Sequence, residues 1–319
     1  MDDTSVKAGP GMVHWGYLSA EIPPVARISS GDAVTITTVS GPPDVVAGSP
    51  YPASAALLGI HEEETKRRIP GHICTGPIAV TGARAGDVLQ IDIESVELDS
   101  DWAYTGVRPL AGALPDDFEE RHMTYIEIDH SQNAARLPWD MEVPLRPFFG
   151  VLCVAPPAAW GELSTVPPRR NGGNLDNREL VEGTTVFLPV FVEDALFSVG
   201  DGHGAQGDGE ICTAAVEMNM RGTFRLTVRR DMELTWPIAE TPTHVITMAF
   251  DPDLDDCVVI ATRQMIDLLV AHSGLSRVQA YTLLSYVGDL RITQVVNGNK
   301  GVHLMVDKKY LRCKSLRAV

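Results

Sequence analysis

The chain has 319 residues, enough for one large domain or two, and its 44% hydrophobic and 21% charged content is ordinary for a soluble globular protein. A formal net charge of −16, with lysines and arginines dispersed rather than clustered, argues against nucleic acid and anionic membranes as partners. The opening MDDTSVKAGP carries acids where a secretory signal needs a basic stretch, the longest apolar run (147–160) is too short to span a bilayer, and five cysteines without a C-x-x-C pair suggest reduced thiols. The expectation is a cytoplasmic protein.

In chain order, the pattern predicts strands over 32–39, 76–83, 87–99, 124–129, 184–192, 195–199 and 222–230, each alternating apolar and polar residues with glycine or proline at its edges. Near residue 250 the period changes. Asp253 is placed to cap a helix whose apolar face is Val258, Ala261, Met265, Leu268 and Leu269 and which Gly274 ends. Ser276 and Gln279 form a capping box for a second helix closed by Gly288, and strands follow over 289–296 and 301–306. The reading is a mainly β fold: a β-sandwich or jelly-roll-like body over 1–240, then a smaller C-terminal α/β unit over 241–319.

Between the strands, residues 200–210 read GDGHGAQGDGE, five glycines with three carboxylates and a histidine. Gly202, Gly204 and Gly207 match a dinucleotide fingerprint, but the acids around them would repel a pyrophosphate. An EF-hand register is broken at Ala205 and Gln206. A transition-metal site fits better: Asp201 and His203, two apart, project to one side of an extended segment, and Glu210 can return across a turn. A tight glycine-rich turn with solvated acids remains the plain alternative. A second loop, PPRRNGGNLDNREL, offers Asn171, Asn174 and Asp176 on restricted backbone, where an Asx-rich surface turn is the commoner outcome. His72 precedes a strand, where a lone histidine is more often a surface or core residue.

Taken together, LRPFFGVLCVAPP, LSTVPPRRNGGNLD, LPVFVEDALFSVGDGHGAQGDGEICTAAVE, DPDLDD and YTLLSYVGDLRITQVV, in that order from about His14 to Gly301, resemble the acetamidase/formamidase family. The resemblance implies a hydrolase of linear amides that releases ammonia and a carboxylate, on a mainly β fold that forms homodimers or higher homo-oligomers.

The residues suit that chemistry. Amide hydrolysis needs an activated nucleophile, a place for the developing oxyanion and a proton for the departing amine. A divalent metal, zinc first by ligand type, answers the first two needs, and a carboxylate moves the proton. No G-x-S-x-G elbow occurs, and no serine–serine–lysine arrangement is evident. The candidates are therefore Asp201, His203 and Glu210 as catalytic residues and metal ligands, His72 as a further ligand, and His72, Trp102, Asn174 and Asp176 as substrate contacts. Cys212, two residues after Glu210, is the alternative nucleophile of a cysteine-dependent amidase. A calcium-dependent carbohydrate-binding β-sandwich is the non-catalytic alternative.

Three departures from the family pattern bear on the substrate. Gly202 and Gly204 stand where threonine and alanine are typical, Ile73-Cys74 replaces a proline after His72, and 101–118 fits only loosely after Trp102. Smaller side chains beside His203 predict a pocket larger than formamide or acetamide fills.

Overall fold

The computed structural model describes residues 4–63, 70–313 and 315–317, so the acids at positions 2 and 3 lie outside the described residues. Two large sheets face each other. Nine strands form the first, in the order Thr4–Val6, Ala33–Thr38, Met220–Arg229, Val88–Leu98, Thr185–Pro189, Ile238–Glu240, His244–Asp251, Lys300–Asp307 and Asp289–Gln294. The second sheet has eleven strands, and Phe148–Cys153, Phe197–His203 and Ile73–Thr81 lie side by side within it.

Alternation explains why the sheets stack. Val34 and Ile36, Leu89 and Ile91, and Phe224 and Leu226 point from the first sheet into a core shared with Ile78, Phe149, Leu152, Phe197 and Val199 of the second. The Phe224 ring lies 5.4 Å from that of Phe149 and 5.6 Å from that of Phe197. Each such fully buried side chain contributes on the order of 2 kcal/mol. The mainly β sandwich expected from the sequence is the observed fold.

The first sheet also has a second covered face. Along His244–Asp251, Ile246, Met248 and Phe250 enter the sandwich core, while Val245 and Ala249 turn to the helix Leu254–Ser273. That helix begins at Asp253, whose side chain accepts from the Asp255 N–H at 2.8 Å, and stops at Gly274 in the left-handed conformation. Ala261, Met265, Leu268 and Leu269 are buried on its inner face and Val258 is half-buried. Arg277–Val287 follows with its capping box formed, and the Gly288 N–H donates to Leu284 O. The boundary expected at residue 240 falls between Ile238–Glu240 and His244–Asp251, two strands paired with each other in one continuous sheet.

Other elements escaped the pattern. Phe148–Cys153 is buried on both faces, so it shows no alternation. The helices Pro43–Gly48 and Ala55–Glu63 are short, and the second buries only Leu57 and Ile60. The strand expected over 195–199 continues to His203, taking four residues of the glycine-rich stretch into the sheet. Among the described residues no single helix is long and apolar enough to cross a membrane.

Candidate active site

Strand Phe197–His203 delivers the first side chains. One edge pairs with Phe148–Cys153 along its length. Its other edge is shared: Gly200 pairs with Cys74, whereas Gly202 and His203 pair with Met218 and Glu217. Asp201 sits where the partner changes and takes a φ of 59°. Asp201 and His203 thus project together, as the two-residue spacing predicts, and Glu217 lies directly across from His203.

Two further carboxylates arrive from loops. After the short strand Gly172–Asn174, the N–H groups of Leu175 and Asp176 both donate to Gly150 O, at 2.8 and 3.2 Å, and Asp176 takes a φ of 47°. The Gly209 N–H donates to Thr293 O at 3.0 Å and the Val295 N–H to Gly209 O at 3.1 Å. These bonds tie the loop to the C-terminal strands and fix Glu210, whose φ is 46°. Three acids of one site in left-handed backbone is unusual, since each such residue costs about 1–3 kcal/mol.

The proton positions follow from one amide. Gln206 donates through Nε2 to Asp176 O at 2.7 Å, so its Oε1 faces His203 Nδ1 at 2.8 Å and must accept from it. Nδ1 therefore carries the hydrogen, and Nε2 faces the acids, 3.1 Å from Asp201 Oδ2 and 3.4 Å from Glu217 Oε1. Nε2 is buried and has no aligned hydrogen-bond partner, as are Asp176 Oδ1 and Asn174 Oδ1. A bare lone pair facing carboxylates is repulsive, so the geometry demands a proton or a cation there.

The electrostatics say the same. Burial pushes the Asp176 carboxyl well up, and Glu210 adds to the shift. Burial, opposed by His203 and reinforced by Glu217 and Asp201, raises Glu210 to about 8. Asp201 moves down, because His72 and His203 outweigh its burial, and His203 moves up, because Glu217 and Asp201 outweigh its own. Among the described residues no lysine or arginine is ion-paired with any of these four acids; the basic side chains beside them are His72, with Nε2 3.6 Å from Asp201, and His203.

A cavity of about 510 Å³ opens onto the site, with Asp201, Glu210, Glu217, His72, Asn174 and Asn297 at its buried end. Asn297 donates to Asp176 Oδ2 at 2.5 Å and to Glu210 Oε2 at 3.5 Å. Of the residues named from sequence, Asp201, His203, Glu210, His72, Asn174 and Asp176 come together. Trp102 does not line the cavity: its indole donates to Pro52 O and its ring stacks on Tyr51. Cys212 does not line it either, and its thiol points to Ala214 O at 3.6 Å.

Gly202 and Gly204 require a correction. A Cβ on Gly202 would meet Met218 O and Met220, and one on Gly204 would meet Met218, Leu145 and Val216. Both face packed interior because they alternate with Asp201 and His203, so their lack of side chains adds no room beside the site. The glycine that does make room is Gly150. A Cβ there would lie 2.5 Å from Asp201 Oδ2, 2.7 Å from Asp176 Oδ1 and 2.9 Å from His203 Cε1. Sequence reading also missed Glu217 and Asn297; AAVEMN shows an inward glutamate only once its partner strand is known. We expect Gly150→Ala to push these acids apart and to lower stability by about 1–3 kcal/mol, read from urea unfolding. An unchanged midpoint would mean the acids do not converge over Gly150.

Comparison with known proteins places this chain in a known lineage. Residues 12–163 and 157–305 match the profile of the acetamidase/formamidase family. The chain is 33% identical to the formamidase of Methylophilus methylotrophus over 199 residues, 46% of this chain and 49% of that protein. It is 30% identical to the acetamidase of Mycolicibacterium smegmatis over 208 residues, 47% and 51% of the two. The chain spans about half the length of the curated relatives it matches. Among solved structures, acetamidase from Bacillus halodurans superimposes with a TM-score of 0.82 at 30% identity, covering 96% of this chain and 98% of that one. A predicted acetamidase/formamidase from Thermoanaerobacter tengcongensis gives 0.86 at 28% identity over 99% of both chains. With most of its length matched in sequence and fold alike, the chain belongs to the acetamidase/formamidase family.

Proposed function

We propose that the protein hydrolyses the C–N bond of a linear amide to a carboxylate and ammonia or an amine, at a divalent-metal site built on His203. The observation that carries this reading is the buried Nε2, 3.1 Å from Asp201 and 3.4 Å from Glu217 with its tautomer fixed by Gln206, on an imidazole that also clusters with Asp176 and Glu210. A histidine oriented through its other nitrogen is the usual arrangement of a metal ligand. His203 forms two compact groups, one with Asp176 and Glu210 and one with Asp201 and Glu217. One imidazole with surrounding carboxylates fits zinc among the divalent ions. The uncompensated negative charge of the pocket fits a cation of that kind.

In this reading His203, Asp176, Asp201, Glu210 and Glu217 are the groups that hold the ion, which supplies polarisation of the amide carbonyl and acidification of water. Asn174 and Asn297, with amide groups at the cavity's buried end, orient the substrate carbonyl and amine. His72 keeps Asp201 ionised. Glu210, which lines the cavity, is placed to carry the proton to the leaving nitrogen. A cavity of about 510 Å³ also exceeds the needs of formamide, which supports a larger substrate on grounds other than the two glycines.

His203→Ala should abolish both bound metal and activity in a folded protein. Metal affinity of the natural chain should weaken by about tenfold for each pH unit below about 8, because Glu210 then binds a proton in the ion's place, and the raised His203 adds to the loss. Metal analysis after dialysis across that range checks both, and full metal content in His203→Ala would falsify the site.

Cys212→Ser should retain more than roughly a tenth of the activity, since its thiol lies off the cavity. A loss of several orders of magnitude, with inactivation by thiol reagents, would favour the cysteine mechanism instead. For substrate size, a series of amides from formamide upward should show kcat/KM rising with acyl length, each well-placed methylene adding about 1–3 kcal/mol of discrimination. Formamide as the best substrate overturns that part of the reading.

A further inference from the structure

The cavity is polarised. Its buried end holds Asp201, Glu210 and Glu217, while its exposed end holds Arg108 and Arg121. Arg121 is ion-paired with Asp44. Arg108 has no ion pair among the described residues, in a chain with 42 acids and 26 lysines and arginines.

The backbone that carries Arg108 is braced on both sides. It follows directly on strand Trp102–Val107, in which Tyr104 pairs with Glu217. The loop beyond it is braced against the segment that carries Glu210: the Ala113 N–H donates to Ile211 O at 2.8 Å. Gly112 packs so closely that a Cβ there would lie 3.0 Å from the same oxygen. The Leu110 N–H closes the turn on Pro115 O at 3.1 Å. Between the two ends stands Tyr104, buried, its hydroxyl 2.9 Å from Ser40 Oγ. Arg108 therefore presents, from a braced stretch of backbone, an exposed guanidinium with no ion pair among the described residues to the mouth of the substrate cavity.

We propose that Arg108 is a specificity-determining residue that receives a carboxylate carried by the substrate, so that the preferred substrates are monoamides of dicarboxylic acids. The inference rests on the amidase reading above. The acids at the buried end admit the neutral amide and repel an anion, and the guanidinium at the exposed end holds the carboxylate. One polarity of the cavity thus sets the direction in which the substrate enters. The volume left over by a simple amide accommodates the spacer and the second carboxyl group.

The test compares succinamate with the neutral analogue 4-oxopentanamide, on the metal-containing natural enzyme and on Arg108→Gln and Arg108→Lys. The natural enzyme should prefer succinamate, and Arg108→Gln should cut that preference roughly ten- to hundredfold, as expected for a lost charge-assisted contact. The loss should fall in KM, with part of it restored by Arg108→Lys. Added salt should weaken the preference of the natural enzyme. Preference for the neutral amide, or an equal loss for both substrates in Arg108→Gln, overturns the proposal. If neither amide is hydrolysed, the amidase reading fails by itself, and calorimetric titration with succinamate still decides this one. Binding abolished by Arg108→Gln supports it, and equal binding by the two proteins overturns it.

Discussion

Four carboxylates are buried around one imidazole, and the organisation of the site follows from what that costs. An ionised carboxyl in a low-dielectric interior is expensive unless paired, and no arginine or lysine is ion-paired with these four among the described residues. Such a cluster persists only if the fold holds the acids in place and a positive charge sits among them. The first condition is visible. Two sheet strands, a loop tied to Gly150 and a loop pinned to the C-terminal strands each contribute an acid. The positive charge must arise at His203 Nε2, because Gln206 commits the other ring nitrogen to a hydrogen bond.

The acids are held by backbone that resists relaxation. Asp176, Asp201 and Glu210 all have positive φ, and glutamate tolerates that region less readily than aspartate. Their neighbours over-determine the conformation through Gly150 O, Thr293 O and the sheet pairing on either side of Asp201. The strain falls on three converging acids, each from a different segment. Their convergence also accounts for the glycines of the stretch. Gly200 and Gly202 let strands approach closely on the side facing away from the acids, and Gly209 turns the chain so that Glu210 comes back.

This geometry separates what the sequence could reveal from what it could not. The spacing of Asp201 and His203 carried its own meaning, because residues two apart on a strand share a side. The helices at 254–273 and 277–287 were legible to within a residue or two, since caps and apolar period are local signals. Glu217 was not legible: its place opposite His203 is a matter of register between strands that are 12 or more residues apart in sequence. Asn297 lay in what reads as an ordinary hairpin turn, and Gly150 in a doubly buried strand with no periodicity. The inference that the glycines beside His203 enlarge the pocket failed for the same alternation that made Asp201 and His203 a pair. If those two face the cavity, their neighbours must face the core.

The C-terminal segment is more than a cover for the sheet. The nine-stranded sheet carries the helices on one face and the sandwich core on the other, and its terminal hairpin brings both Thr293 and Asn297 to the acids. A perturbation of the hairpin therefore reaches the site by two routes. Through Thr293 O it loosens the loop that aims Glu210, and through Asn297 it removes the hydrogen bond at 2.5 Å to Asp176. Both routes act on the group that joins Asp176 and Glu210 to His203. The group made with Asp201 and Glu217 belongs to the sandwich strands alone. The two groups share one imidazole but have different structural supports, so damage to the terminal hairpin should unbalance the site before it dismantles it.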